Sequence, residues 1–112
     1  CFLAAEVLER KGVSCQIISM HTIKPIDKYS IINSVKKTKK IITVEEHNCN
    51  GGLGGAVAEV LASSNICYDF RMIAIDDKFS AIVGDQKYLR KRYKLDSKAI
   101  IKKILSMFSN NK

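Results

Sequence analysis

Apolar residues recur at helical spacing in several separate stretches of the chain. Leu3, Ala4, Val7 and Leu8 form the first stripe, and the basic pair before Gly12 is typical of a helix C-terminus near Lys11. Similar stripes predict further helices over residues 28–37, from the glycines at 51–55 to residue 62, and in two segments after residue 85. The residues that suit the N-caps of three of these helices are Asp27, Asp85 and Asp96. In the last helix, the side chains expected to face the core are Ile100, Ile101, Ile104, Leu105 and Phe108.

Three shorter apolar stretches, residues 13–20, 41–44 and 68–75, predict β-strands. The second is β-branched throughout, with Thr43 as its only polar member, which is typical of a buried strand in a parallel sheet. We expect it to end near Glu45 or Glu46. Because parallel strands need crossover connections, alternating strands and helices predict an α/β fold with a mostly parallel sheet covered on both faces.

The numbers of predicted strands and helices indicate how complete the domain is. Three strands make a thin sheet for five helices to cover, and the first helical stripe begins at the first residues of the chain. From these two features we expect residues 1–112 to form one domain that is partial at its N-terminus and lacks its first strands.

Composition narrows the function classes. The 112 residues are 46% apolar and 27% charged, which is ordinary for a soluble globular protein, and no apolar stretch approaches the roughly 18–20 residues that span a bilayer. The N-terminus lacks the basic segment of a signal peptide, and the four cysteines show no paired C-x-x-C spacing. We therefore expect a cytoplasmic location, reduced thiols, no membrane partner and no metal site.

The net charge of +8 raises the question of polyanion binding. The basic residues concentrate in residues 36–40 and 87–103, and in the second stretch they alternate with apolar residues at helical spacing. This distribution favours solvated helix faces. Nucleic acid is accordingly not the expected partner.

One segment combines several groups that could carry chemistry. A buried strand brings Glu45, Glu46 and His47 to its carboxyl end, where open α/β sheets bind ligands, and a glycine-rich helix start follows. Free N–H groups at a helix start favour anions, whereas a structural alternative is that the glycines only permit a tight turn and close packing. A dinucleotide fingerprint is excluded because Val57 stands where it needs glycine, and no Walker lysine follows. The candidate anion-binding or interface loop comprises Glu46, His47, Asn48, Gly51, Gly52, Leu53, Gly54 and Gly55.

Catalytic roles for the two glutamates and the histidine are disfavoured. Consecutive strand residues point to opposite faces, so Glu45 and Glu46 cannot both face one pocket while the strand persists. No nucleophile or second base lies nearby in the sequence. We expect interface and loop-fixing groups here, and assign no catalytic residue.

The order and spacing of these motifs resemble the C-terminal domain of transketolases, especially the form that is split into two subunits. The matching stretches are residues 13–27, the Ile-Ile-Thr-Val-Glu-Glu-His run at 41–47 and the Gly-Gly-Leu-Gly-Gly run that opens residues 51–61. Residues 77–96 continue the match with Phe79, Gly84, Asp85 and Tyr88, although Lys94 stands where a glycine is usual. Nearly the whole chain is covered.

The resemblance implies a three-layer α/β/α domain of a transferase that moves a two-carbon ketol unit between sugar phosphates. It also implies that thiamine diphosphate and Mg²⁺ are held by the preceding domains, so the isolated chain is expected to bind no cofactor and to be inactive. Its expected role is structural, with contacts at a dimer interface. The implied partners are upstream thiamine-binding domains or an N-terminal subunit, in a homodimer or heterotetramer.

Two other functions stay open. Deoxyxylulose-phosphate synthases and the beta subunits of 2-oxo acid dehydrogenases share much of the same pattern. A non-catalytic module is the other alternative, in which the basic surface binds an acidic partner or a nucleotide.

Overall fold

The computed structural model describes residues 1–48, 50–75 and 84–109. Cys49 and residues 76–83, which include Phe79 of the resemblance, lie outside the described residues. The chain divides into two compact units, one combining residues 1–17 with the chain from residue 79 onward, and the other spanning residues 18–78. The described elements are, in order, α1 (Phe2–Arg10), α2 (Lys28–Thr38), β1 (Lys40–Asn48), α3 (Leu53–Ala62), β2 (Asp69–Ile75), α4 (Gln86–Arg92) and α5 (Ser97–Ser109).

The unit of residues 18–78 is built on a parallel strand pair joined by a helix. Strands β1 and β2 pair in register from Lys40 with Asp69 to Val44 with Ile73, and the ladder is then irregular up to Asn48, which pairs with Ile75. Helix α3 connects the two strands and packs on both, and α2 packs on α3 and β1. The buried core between these elements consists of Ile31, Val35, Val57, Val60 and Leu61. The observed α/β architecture and parallel pairing confirm the predicted fold class.

The other unit contains α1, α4 and α5, of which α1 and α5 pack against each other. Ala4 and Leu8 on α1 and Ile100 and Met107 on α5 are buried. Phe108, predicted to face the core, is instead 48% exposed. It lies roughly 80° around the helix from Ile100, in the last turn, so the apolar stripe of α5 is wider than its buried face.

Helix ends follow the predicted chemistry. Asp27 accepts the Ser30 hydroxyl at 2.6 Å and the Ser30 N–H at 3.0 Å, and these bonds, the first above all, hold the pKa of the Asp27 carboxyl below its usual value. Asp85 and Asp96 cap α4 and α5 by accepting the N–H groups of Tyr88 and Ala99. All three predicted N-caps are confirmed.

The first helix ends as its glycine predicted. Gly12 has a φ of +80°, its N–H donates to Glu9, and the N–H of Val13 donates to Leu8. This pair of bonds is the Schellman arrangement, in which a left-handed residue closes the helix. Glycine suits the position because a side chain there would be strained.

The predicted strand over residues 13–20 is wrong. These residues form no ladder with any described residue, and Ile17 and Ile18, which are adjacent rather than alternating, are 37% and 38% exposed. A strand exists only through its hydrogen-bonded neighbour, so an apolar stretch without one stays irregular. The other two predicted strands are present, although β1 continues to Asn48, beyond its expected end.

No helix in the described parts of the chain is long and apolar enough to cross a membrane. Cys1, Cys15 and Cys67 are free thiols at the surface. That residues 1–112 form one partial domain stays a prediction.

Candidate functional site

The end of β1 and the start of α3 are tied together by one side chain. The Glu45 carboxylate accepts the N–H of Leu53 at 2.7 Å through Oε2 and the N–H of Gly54 at 2.9 Å through Oε1. Leu53 is the first residue of α3, and its N-cap, Gly52, has no side chain with which to accept a bond. The first N–H groups of a helix have no acceptor within the helix, and the side chain of the N-cap residue commonly accepts one of them. Glu45 takes the place of that missing side chain here.

The glycines around this carboxylate leave room for it. A Cβ built on Gly52 would overlap Glu45 Oε2 and lie 2.9 Å from its Cδ, and one on Gly54 would overlap the Met72 sulfur and lie 3.2 Å from Glu45 Oε1. A Cβ on Gly55 meets nothing within 4 Å. Gly51 is required for another reason, because its φ of +75° lies in the left-handed region that residues with a Cβ rarely adopt. Gly52 thus serves the close approach of the carboxylate to backbone N–H groups, whereas Gly54 serves mainly the close packing of α3 on Met72.

The polar residues between strand and helix lie in one short segment. Glu46 and His47 are exposed, and Asn48 is half-buried at the end of β1. Asn48 Oδ1 accepts the N–H of Asn50 at 2.9 Å, and His47 Nδ1 lies 3.2 Å from the Asn48 carbonyl oxygen. The segment therefore presents an imidazole and a carboxylate to solvent beside a helix start that is held in place.

The predicted site residues are brought together in this segment, which runs from Glu46 to Gly55 with Cys49 outside the described residues. Glu45 and Glu46 diverge as the strand geometry predicts, since Glu45 reaches α3 while Glu46 is exposed. The sequence did not identify Glu45 as the residue that holds the start of α3 by accepting its N–H groups. The available signal was a helix that starts at glycines without Ser, Thr, Asp or Asn at its N-cap and therefore needs an acceptor from elsewhere.

A second feature lies two residues before Glu45 on the same strand. Thr43 is 6% exposed, and its Oγ1 atom is buried without a hydrogen-bond partner among the described residues. A buried hydroxyl without a partner destabilises a fold. Elsewhere in the described chain, no three His, Cys, Asp or Glu side chains are grouped so that they could hold a metal ion.

Comparison with known proteins identifies the family. The family described as "Transketolase, C-terminal domain" matches residues 1–100 of the chain. The chain belongs to the transketolase C-terminal domain family. The "Split gene transketolase, inactive beta4 tetramer" is structurally similar to this transketolase C-terminal domain, with a TM-score of 0.85 and 28% identity over 99% of the chain and 35% of that protein.

Sequence relatives agree with the structural comparison. The domain is 36% identical to one of the subunits of the apulose-4-phosphate transketolase of Actinobacillus succinogenes, over 93% of the chain and 33% of the relative. It is 44% identical to the putative transketolase C-terminal section of Methanocaldococcus jannaschii, over 91% of the chain and 31% of the relative. 1-Deoxy-D-xylulose-5-phosphate synthases also match. The chain thus spans about a third of the length of the first two relatives.

Proposed function

We propose that this chain is the C-terminal part of a thiamine-diphosphate-dependent transketolase, which transfers a two-carbon ketol unit between sugar phosphates. The observation that carries the proposal is the family match over residues 1–100, together with relatives named as a transketolase subunit and a transketolase C-terminal section. The role of the chain in that enzyme is structural, at contacts with other domains or subunits. A cytoplasmic location stays a prediction.

The residues of the described chain do not fit a thiamine diphosphate site. A pyrophosphate needs unpaired N–H donors, yet the first two N–H groups of α3 already donate to Glu45. When bound, the cofactor supplies the stabilisation of the substrate carbanion. We assign its binding to the partner domains or to an N-terminal subunit.

For the segment from Glu46 to Gly55, we propose an interface role rather than an external anion site. Glu45 neutralises the positive end of α3 from inside the chain, which leaves less attraction for a phosphate. The exposed Glu46 and His47 side chains beside this fixed helix start are suited to contacts with a neighbouring domain.

Calorimetry and reconstitution test the proposal. Titration of thiamine diphosphate with Mg²⁺ into the chain should give no stoichiometric heat, and the chain alone should not turn over ketose phosphates. Joining the chain to the upstream part that its split relatives carry, since it spans only about a third of their length, and mixing the product with an N-terminal subunit should yield cofactor-dependent ketol transfer. A micromolar, one-to-one isotherm with the chain alone would contradict the assignment of the cofactor to a partner.

A second candidate is the synthase activity named in other relatives. 1-Deoxy-D-xylulose-5-phosphate synthase of Halothermothrix orenii is 34% identical over 93% of the chain, although the chain covers only 16% of that protein. Product analysis of the enzyme assembled with this chain's own upstream domains separates the two, because a partner taken from a transketolase would itself decide the product. Deoxyxylulose phosphate as the product would favour the synthase, whereas a ketose phosphate formed by ketol transfer would favour the transketolase.

A further inference from the structure

An open groove lies between α2 and the turn that follows α3, within the unit of residues 18–78. Its volume is about 500 Å³. Lys28, Ile32 and Lys36 line one side, and the apolar surface of the other side comes mainly from Ile66, since Val60 is only 6% exposed. The spacing of the three α2 residues, at i, i+4 and i+8, places them along one face of the helix. The groove therefore has an apolar middle with a lysine toward each end of that face.

The positive charges of Lys28 and Lys36 are not paired with a carboxylate in the described part of the chain. Neither Lys28 nor Lys36 makes an ion pair with any described residue, and none of the groove-lining residues carries a carboxylate. Eight residues of helix separate their Cα atoms by about 12 Å, or just over two turns. The positive charges are thus spaced like two side chains on one face of another helix.

Two of the polar side chains of the opposite wall, Ser63 and Ser64, bond within the chain, whereas Asn65 is exposed there. The Ser63 hydroxyl donates to the Val60 carbonyl oxygen at 2.9 Å, and the Ser64 hydroxyl donates to the Leu61 carbonyl oxygen at 2.7 Å. These bonds cap the last carbonyl groups of α3 and use the hydroxyl protons of both serines. Selectivity should therefore come from the apolar middle and the two ammonium groups.

We propose that this groove docks an acidic amphipathic helix of a partner polypeptide, with carboxylates about two turns apart flanking an apolar side chain. The apolar residue packs on Ile32, Val60 and Ile66, and the carboxylates pair with Lys28 and Lys36. We infer an acidic partner from charge complementarity. The α2 face that lines the groove carries a lysine toward each end, and no carboxylate among the described residues pairs with either lysine. A helix also suits the open shape, because small-molecule sites typically enclose most of the ligand. The proposal is independent of the proposed enzyme activity.

The test uses a designed helical peptide of about 18 residues, long enough to be partly helical alone, that carries Glu-x-x-x-Leu-x-x-x-Glu on one face. Its binding to the whole chain is followed by fluorescence anisotropy and by amide chemical shifts, which should move first at residues 28–36 and 60–66. Lys28→Glu or Lys36→Glu should weaken binding about fivefold, since an exposed ion pair is replaced by repulsion. A peptide with Leu replaced by Ser should also bind more weakly.

Lys37→Glu is the matched control, because it makes the same charge change in the same turn of α2 at a residue that does not line the groove. It should change the affinity by less than about twofold. A peptide with Lys in place of the Glu that faces residue 36 should recover binding to Lys36→Glu. The proposal fails if Lys37→Glu weakens binding as much as Lys36→Glu, if the peptide does not bind at millimolar concentration, or if suberate, an eight-carbon dicarboxylate, competes at the peptide's own concentration.

Discussion

The carboxylate of Glu45 accepts the backbone N–H of Gly54 at 2.9 Å, nine residues further along the chain. Its other oxygen accepts the N–H of Leu53, so one side chain joins the end of a strand to the start of the next helix. A negative charge in this position also interacts favourably with the helix dipole. The turn between strand and helix is fixed by a long-range cap instead of a local one.

The first prediction is that Glu45→Gln destabilises the fold. An amide can accept only one of the two bonds and turns its own NH₂ toward the second N–H, so we expect a loss of about 1–3 kcal/mol in the free energy of unfolding. Glu59→Gln makes the same chemical change at an exposed position of α3 and should leave stability within about 0.5 kcal/mol. Urea unfolding measures both. Equal effects would mean that the Glu45 bonds contribute nothing specific.

The second prediction concerns phosphate. In the unaltered chain, Glu45 holds the N–H groups of Leu53 and Gly54, and phosphate should produce no early shift of these amides. In Glu45→Ala the same N–H groups are released at a helix start, and they should be the first to respond to phosphate. Amide chemical shifts during a phosphate titration report both. If Gly52 to Gly55 shift first in the unaltered chain, the anion-binding alternative is correct.

The third prediction separates steric from conformational roles of the glycines. Gly52 has a φ of −96°, which any residue adopts, so Gly52→Ala should destabilise only by displacing the Glu45 carboxylate, by about 1–2 kcal/mol. That cost should largely disappear in a Glu45→Ala background. Gly55→Ala, in the same helix start but in open space, should instead stabilise by about 0.5–1 kcal/mol. A double-mutant cycle by urea unfolding is the measurement, and an undiminished Gly52→Ala cost without Glu45 would contradict the steric explanation.

Local signals explain what could be predicted from the sequence. Asp27, Asp85 and Asp96 mark helix starts because a cap and its N–H groups are close in sequence, and Gly12 marks a helix end for the same reason. The role of Glu45 depends on contacts eight and nine residues away, which spacing alone does not reveal. The failed strand at residues 13–20 has the same origin, because apolar composition does not supply a neighbouring strand.

The fourth prediction is that Thr43→Val stabilises the chain. The Thr43 hydroxyl is buried without a partner among the described residues, and valine has nearly the same shape without the polar atom. Removing an unsatisfied hydroxyl should raise the free energy of unfolding by about 1–2 kcal/mol. Thr38→Val is the contrasting variant, since the Thr38 hydroxyl has two carbonyl acceptors in reach, Lys40 at 2.7 Å and Ser34 at 2.9 Å, and should not be dispensable. A destabilised Thr43→Val in thermal unfolding would show that the hydroxyl has a partner in solution.

The fifth prediction addresses Lys94, where the sequence resemblance led us to expect a glycine. Its φ of +57° lies in the left-handed region, where a residue with a side chain is disfavoured by roughly 1–2 kcal/mol. Lys94→Gly should therefore raise the free energy of unfolding, by about 1 kcal/mol once the greater flexibility of the unfolded chain is counted. Lys102→Gly loses the same side chain and charge from an exposed interior position of α5, where glycine should instead cost about 1 kcal/mol. Urea unfolding measures both variants. If Lys94→Gly is more stable than the unaltered chain and Lys102→Gly is less stable, the gain comes from relief of backbone strain at residue 94. If both variants are less stable, the Lys94 side chain contributes more to stability than its backbone conformation costs.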